Sequence, residues 1–255
     1  MTPWELVAVA LAGGGAGFIN SVAGSGTLIT FPTLLALGVP PVTANVSNNI
    51  GLVPGAVSAA WGWRHELTGQ RRRLTRLATA SVVGGVIGAV LLLVLPEDSF
   101  EAVVPVLVVL GVVLVAVQPR INRWLSDRAT SRGEEGPRRD ARWLWPVVGA
   151  TGVYGGYFGA AQGILLMAVL GTGTADSLKR DNAFKIVLSG IVNATAAVIF
   201  VLVAHVDWTI VAVIAVGSIV GAQVGAVLGR RMPDVVLRTV IVVVGVAALA
   251  VFLLR

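Results

Sequence analysis

The side chains that could act on a ligand fall in two short clusters, each set in an otherwise apolar stretch. The first is Gly24, Ser25, Gly26 and Thr27, followed by Asn45, Asn48 and Asn49. The second is Gln162 and Gly163, followed by Asp181, Lys185 and Asn193. Amides, hydroxyls and one lysine form a donor-rich set suited to holding an oxyanion. No catalytic assembly is visible: there is no Ser/His/Asp constellation, no HExxH and no pair of carboxylates. Cysteine is absent, which excludes disulfides, thiolate metal sites and cysteine catalysis. The two histidines, His65 and His205, each lie at the end of an apolar run and read as loop residues. The sequence therefore implies no enzyme, metal or cofactor.

The setting of these clusters is a membrane. Of the 255 residues, 56% are hydrophobic and 13% charged, and mean hydropathy is +0.86. Several apolar runs approach the length of about 20 residues that a helix needs to cross a bilayer. The net charge of +6 comes from arginines gathered in a few loops, the positive-inside pattern of a membrane protein rather than a nucleic-acid surface. Residues 4–12 resemble the core of a signal peptide but lack a basic segment before them, and read as mature protein.

Taken in order, the first half (1–117) offers a broken hairpin over 4–37 and spans over 44–63, 77–95 and 102–117. Residues 118–143, with seven arginines, four acids and a Gly-Pro, read as a linker. The second half (144–255) offers a hairpin over 145–171 and spans over 183–204, 208–229 and 237–254. The halves repeat at a fixed interval: Gly26 falls on Gly163 (163 − 26 = 137), Asn45 on Asn182 and Asn48 on Lys185. Ser81–Leu91 matches Ser218–Leu228, and Pro96-Glu97 matches Pro233-Asp234, at the same interval.

Charge orients the halves. The basic loop 64–76 corresponds to 201–213, which carries no arginine or lysine, and the acidic loop after Leu95 corresponds to a stretch with Arg230, Arg231 and Arg238. Equivalent loops of opposite charge imply inverted topology. Inversion needs an odd number of crossings per half, so the first apolar unit of each must enter and leave on one side. The fold class expected is an all-α polytopic membrane protein of two inverted-topology repeats, each a broken helical hairpin plus three transmembrane helices. Gly84/Gly88 and Gly221/Gly225 read as helix-packing faces.

Broken backbone at membrane depth survives only where protein or a wet cavity satisfies it. After each glycine knot a new helix starts, at Thr27 or Ile164, and its N–H groups would point toward the membrane centre, a setting for an anion. Other readings of these residues stay open. The knots could be close helix crossings, Asn45 and Asn182 could be helix caps, and Lys185 could snorkel to the surface. No carboxylate lies deep in a span; Asp181, at the cytoplasmic boundary, is the one candidate for a proton relay.

The strings G-F-I-N-S-V-A-G-S-G (17–26), P-T-L-L-A-L-G-V-P-P (32–41) and A-N-V-S-N-N (44–49) resemble the TauE/SafE sulfite exporter family of anion permeases. So do G-V-Y-G-G-Y-F-G-A-A-Q-G-I-L-L-M (152–167) and K-I-V-L-S-G-I-V-N (185–193) in the second half. Gln162 departs from the small residue expected there. The resemblance implies a bacterial inner-membrane protein that moves sulfite, an organosulfonate or a related small organic anion. The expected function is export of such an oxyanion by alternating access. Alternatives are import of a small carboxylate or sulfur compound, a non-transporting membrane subunit, and an intramembrane enzyme. The expected partners are that anion and the lipid bilayer, not nucleic acid, with a homodimer as one allowed assembly.

Overall fold

The structure is a computed structural model that describes residues 1–131, 140–174 and 176–228. Nine α-helices lie within the described residues: α1 (Pro3–Val22), α2 (Thr27–Ala36), α3 (Pro41–Gly62), α4 (Arg71–Val94), α5 (Glu97–Ser131), α6 (Leu144–Tyr157), α7 (Gln162–Gly173), α8 (Leu178–Val203) and α9 (Trp208–Leu228). The expected span 237–254, Asp234, Arg230, Arg231 and Arg238, and the linker segment 132–139 lie outside the described residues.

Local chemistry sets many of these boundaries. At the start of α1 the Thr2 N–H donates to Glu5 Oε2 at 2.8 Å, a reciprocal cap, and Pro3 supplies the fixed φ of a first turn. Positive φ at Gly24 (84°) and Gly38 (83°) marks the chain breaks on either side of α2. Ser177 Oγ accepts from the Arg180 N–H to cap α8, and Asp207 Oδ1 accepts from Thr209 and Ile210 to cap α9.

Five helices (α1, α4, α5, α8 and α9) are long and apolar enough to cross a membrane. At 22 residues α3 is long enough too, but Asn45, Ser47, Asn48 and Asn49 make it more polar, and all four are buried. By contrast α2 and α7 have 10 and 12 residues, which gives them about 15–18 Å, roughly half the hydrocarbon thickness. The helix α5 runs on for 35 residues through Pro119 to Ser131, so residues 118–131, expected in the linker, are helical. Valines, leucines and isoleucines exposed along α4, such as Val83, Ile87 and Leu91, form a lipid-facing surface.

The tightest packing is between α1 and α9 and between α4 and α6. Gly13 sits against Ile214 and Gly17 against Ser218, so α1 and α9 run parallel. A Cβ on Gly221 would lie 2.7 Å from the Gly14 carbonyl carbon, and one on Gly84 would lie 2.8 Å from Gly152 Cα. Small residues here bring backbones together where the hydrophobic effect between helices is weak. Asn49 faces Asn193, while Ala59 shares a buried cluster with Ile186, so α3 and α8 run antiparallel. Between α6 and α7 the chain turns back: the Gly173 carbonyl accepts from the Ala141 N–H at 3.0 Å, beside the start of α6.

Ion pairs collect at one end of the bundle. Arg73 at the start of α4 donates to Asp140 (2.9 Å) and to Asp176, Arg180 donates to Asp176 at 2.8 Å, and Arg180 Nε reaches the Glu66 carbonyl at 3.3 Å. The ends of α3, α4, α7 and α8 are thereby tied into one arginine-rich face. The glycine crossings are the most sensitive part of this packing. Gly84→Ala should lower stability by about 1–3 kcal/mol through overpacking. Gly149→Ala, on the same crossing, meets only ordinary contact at 3.7 Å and should be neutral or stabilising. Thermal unfolding of the two variants in detergent checks the contrast.

Candidate functional site

The two chain breaks meet. The chain leaves α1 through Gly24 and enters α2 at Thr27; it leaves α6 through Phe158 and Gly159 (φ 76°) and enters α7 at Gln162. The Gly163 N–H donates to the Gly24 carbonyl at 3.1 Å, and a Cβ on Gly24 would lie 2.6 Å from Gly163 Cα. This is backbone on backbone, and no side chain fits between the strands of chain. Gly24 also needs its positive φ, so two separate constraints select glycine there.

A small cavity flanks the contact, with about 30 Å³ open to the centre of a water molecule. Of the expected residues, Gly24, Thr27, Gln162, Gly163 and Asn193 line it. Asn20 and Ser189 join them, and no carboxylate lines it among the described residues. Gln162 Nε2 is buried and has no hydrogen-bond partner among the described residues; the Ser25 hydroxyl, buried in the break between α1 and α2, has none either. A buried donor without an acceptor costs about 1–3 kcal/mol.

The backbone amides tell a different story from the sequence expectation. The N–H groups of Gly26, Leu28 and Ile29 donate to Asn20 Oδ1 (2.7 Å), Ser25 O and Gly26 O. Those of Gln162, Gly163 and Ile164 donate to Gly159 O, Gly24 O and Ala161 O. These amides of α2 and α7 are thus engaged by Asn20 and by the two chain breaks, Gly163 reaching across to Gly24 of the other half, and are not free for a ligand.

The remaining expected residues brace the breaks rather than line the cavity. Asn45 Nδ2 donates to Tyr157 O at 3.0 Å, at the end of α6. Asn182 Nδ2 approaches Ser21 O at 3.5 Å and Lys185 Nζ donates to Val22 O at 3.2 Å, both at the end of α1. Each half thus supplies a donor for carbonyls that a helix end leaves unsatisfied in the other half. Asn48 accepts from Thr30 and donates to Thr27 at 3.4 Å; Asn49 donates to Asn193 Oδ1 at 3.4 Å. Lys185 is fully buried, and no carboxylate pairs with it among the described residues. It does not snorkel. Asp181 is also buried, accepts from Thr174 at 2.9 Å, and sits at the arginine-rich end away from the cavity.

Two features escaped the sequence reading. Ser189 lies one turn from Lys185 and one from Asn193, a spacing of four that would have exposed the polar stripe on α8. Four rings also pack edge to face behind the breaks: Phe31 on Phe158 (5.0 Å between centroids), Phe31 on Phe100 (6.5 Å) and Phe100 on Tyr157 (5.6 Å). They come from α2, α5 and the end of α6, and nothing in their spacing joins them.

Half-length helices that meet within a bundle of membrane-crossing helices, around a small polar cavity, define a polytopic transporter. The family profile described as "Sulfite exporter TauE/SafE" matches residues 9–252. The chain belongs to that family and is a membrane transporter, not an enzyme. It is similar to the probable membrane transporter protein YfcA of Escherichia coli K12, with 28% identity over 233 residues, 90% of this chain and 82% of that protein. The probable membrane transporter protein ORF9 of Sinorhizobium sp is 26% identical over 91% of this chain and 86% of its own length. A probable membrane transporter protein of Haemophilus influenzae is 25% identical over 89% and 86%.

The glycine contact makes its own prediction. Gly24→Ala and Gly163→Ala should each destabilise the protein by about 1–3 kcal/mol. Because the two new methyl groups would force apart the same pair of backbones, the double variant should lose less than the sum. Unfolding temperatures of the four proteins in the cycle test this.

Proposed function

We propose that the protein is a permease that exports a small oxyanion, sulfite or an organosulfonate, by alternating access across the bacterial inner membrane. The observation that carries the reading is Gln162: a residue lining a cavity of amides and hydroxyls that no described carboxylate lines, with a buried side-chain N–H group that has no partner among the described residues. A site rich in donors favours an anion, and neutral donors bind it without the cost of burying a second cation. Lys185, a buried cation one helical turn from Ser189, supplies the charge. The binding set is Gly24, Ser25, Thr27, Gln162, Gly163 and Asn193, with Gly26, Asn45, Asn48, Asn49 and Lys185 shaping or charging it. The central cavity is small, and binding of an organosulfonate goes with a widening of the site. The family's description as a sulfite exporter supports export of sulfite.

Alternating access rests on two inverted repeats, 1–117 and 144–255, joined by the linker 118–143. Three observations support this. The helices α3 and α8, equivalent at the repeat interval, run antiparallel. The close pairs α1–α9 and α6–α4 exchange partners between halves at that interval. Asn45 and Asn182, also 137 apart, each donate to the end of the other half's broken helix. The arginine-rich face is then cytoplasmic.

Thr68 and His205 are exposed loop residues at equivalent positions (205 − 68 = 137). Single cysteines there should be labelled by an impermeant thiol reagent from opposite faces, Thr68→Cys from the cytoplasm. Labelling of both from one face sinks the inverted repeat.

Transport is tested in proteoliposomes given labelled sulfite, taurine, sulfoacetate and acetate in both directions. Sulfite or a sulfonate should move faster than acetate. Gln162→Leu removes a hydrogen bond to a charged acceptor, about 1.5–3 kcal/mol, and should raise the half-saturating concentration roughly ten- to hundredfold. An unchanged value would remove Gln162 from the site.

A further inference from the structure

A second cavity lies at the arginine-rich end, with about 260 Å³ open to the centre of a water molecule, far larger than the central one. Its walls include Val22, Trp63, Met167 and Leu178, with Asn122, Lys179 and Asn182 as polar groups. The two cavities share three walls. At the end of α3, Ala59 lines the central cavity and Trp63, the residue after the helix, the larger one; on α8, Ile186 lines the first and Asn182 the second; at the end of α1, Val22 lines the second and Gly24, in the chain break, the first. Four residues along a helix span about 6 Å, so the cavities follow each other along one path.

What separates them is the last turn of α1. Its Ser21 and Val22 carbonyls face α8, where Asn182 reaches the first at 3.5 Å and Lys185 the second at 3.2 Å. We infer that the larger cavity is the inner vestibule for the transported anion, and that the end of α1, tied to α8 by Asn182 and Lys185, is the gate between vestibule and central site. The Lys185 part of this inference rests on the oxyanion reading given above.

The vestibule suits a small organic anion with an apolar body. Lys179 is exposed at its rim and attracts negative charge, while Val22, Met167 and Leu178 offer apolar wall. The gate opens by exchange of acceptors. A helix C-terminus carries only partial negative charge, whereas an arriving sulfonate or carboxylate offers a full one. Lys185 Nζ therefore leaves Val22 O for the anion, and the end of α1 keeps only the long contact from Asn182. At the other end of the bundle the equivalent tie, Asn45 to Tyr157 O, is 3.0 Å and lies among the four packed rings. Once Lys185 has left Val22 O, the inner gate is held by the longer of the two equivalent asparagine contacts.

The test needs no substrate. In inside-out membrane vesicles, Leu178→Cys (vestibule) should react readily with a charged, impermeant methanethiosulfonate, and Ser189→Cys (central cavity) at least tenfold more slowly. Adding Asn182→Ala to Ser189→Cys should speed its reaction about tenfold. The inference is overturned if Leu178→Cys reacts only from the outer face. It is equally overturned if Ser189→Cys reacts as fast as Leu178→Cys, or if Asn182→Ala leaves the rate unchanged in protein that elutes as a single folded species. Should Asn182→Ala not fold, Asn182→Ser, too short to reach Ser21, decides in the same way. A failure of the oxyanion reading would appear in the transport assay and leave these labelling rates untouched.

Discussion

Everything in this molecule is arranged around the demand that a peptide group in hydrocarbon find a partner. Two helices stop partway through the bundle, at Val22 and Tyr157, and each leaves carbonyls that water would satisfy in a soluble protein. The answer is found in the opposite half of the chain. Asn182 and Lys185 serve the end of α1, Asn45 serves the end of α6, and Gly163 donates to Gly24 where the breaks touch. Loss of any of these partners leaves an unsatisfied polar group where it is costly, so the polar residues of α3 and α8 are structural before they are functional. The same need explains why so few amides remain for a ligand: most were used to make the breaks tolerable.

This dual duty complicates the assignment of a binding site from residue types. Asn45 and Asn48 look like ligand donors in a list of intramembrane polar residues, yet their hydrogen bonds go to Tyr157 O and to Thr27 and Thr30. Gln162, at a position where the resemblance implies a small residue, is the side chain whose amide nitrogen has no partner among the described residues.

Much of the architecture was legible in the sequence because membrane proteins obey few, strong rules. Prolines at 40 and 41, the glycines at 24, 26 and 163, and hydropathy located the breaks, and the arginines of the basic loop at 64–76 mark the end of the bundle where Arg73, Asp176 and Arg180 meet. Helicity beyond residue 117 was not legible, because an arginine-rich segment past the hydrocarbon reads as linker whether or not α5 continues into it. The aromatic cluster and Ser189 were invisible for another reason. Their neighbours are set by how four helices pack, and no local period in the chain encodes that. The engagement of the first-turn amides depends on two carbonyls in tight turns, Gly159 O and Ala161 O, whose direction no residue type dictates.

The four-ring cluster has no aromatic counterpart one repeat away: Phe31 falls on Ala168, Tyr157 on Asn20 and Phe158 on Ser21. A carrier built from two matched halves would weigh its two shapes equally. In this structure the rings Phe31, Phe100 and Phe158 are dry, and under the proposed alternating access a shape open at that end would wet them, at about 25 cal/mol for every Å² uncovered. On the alternating-access reading proposed above, the unloaded protein would favour the shape with this end shut and the arginine-rich end ready to load. Such a preference could not alter the final concentration ratio across the membrane, but in an exporter with a cytoplasmic arginine-rich face it would make the empty return the downhill half of each cycle.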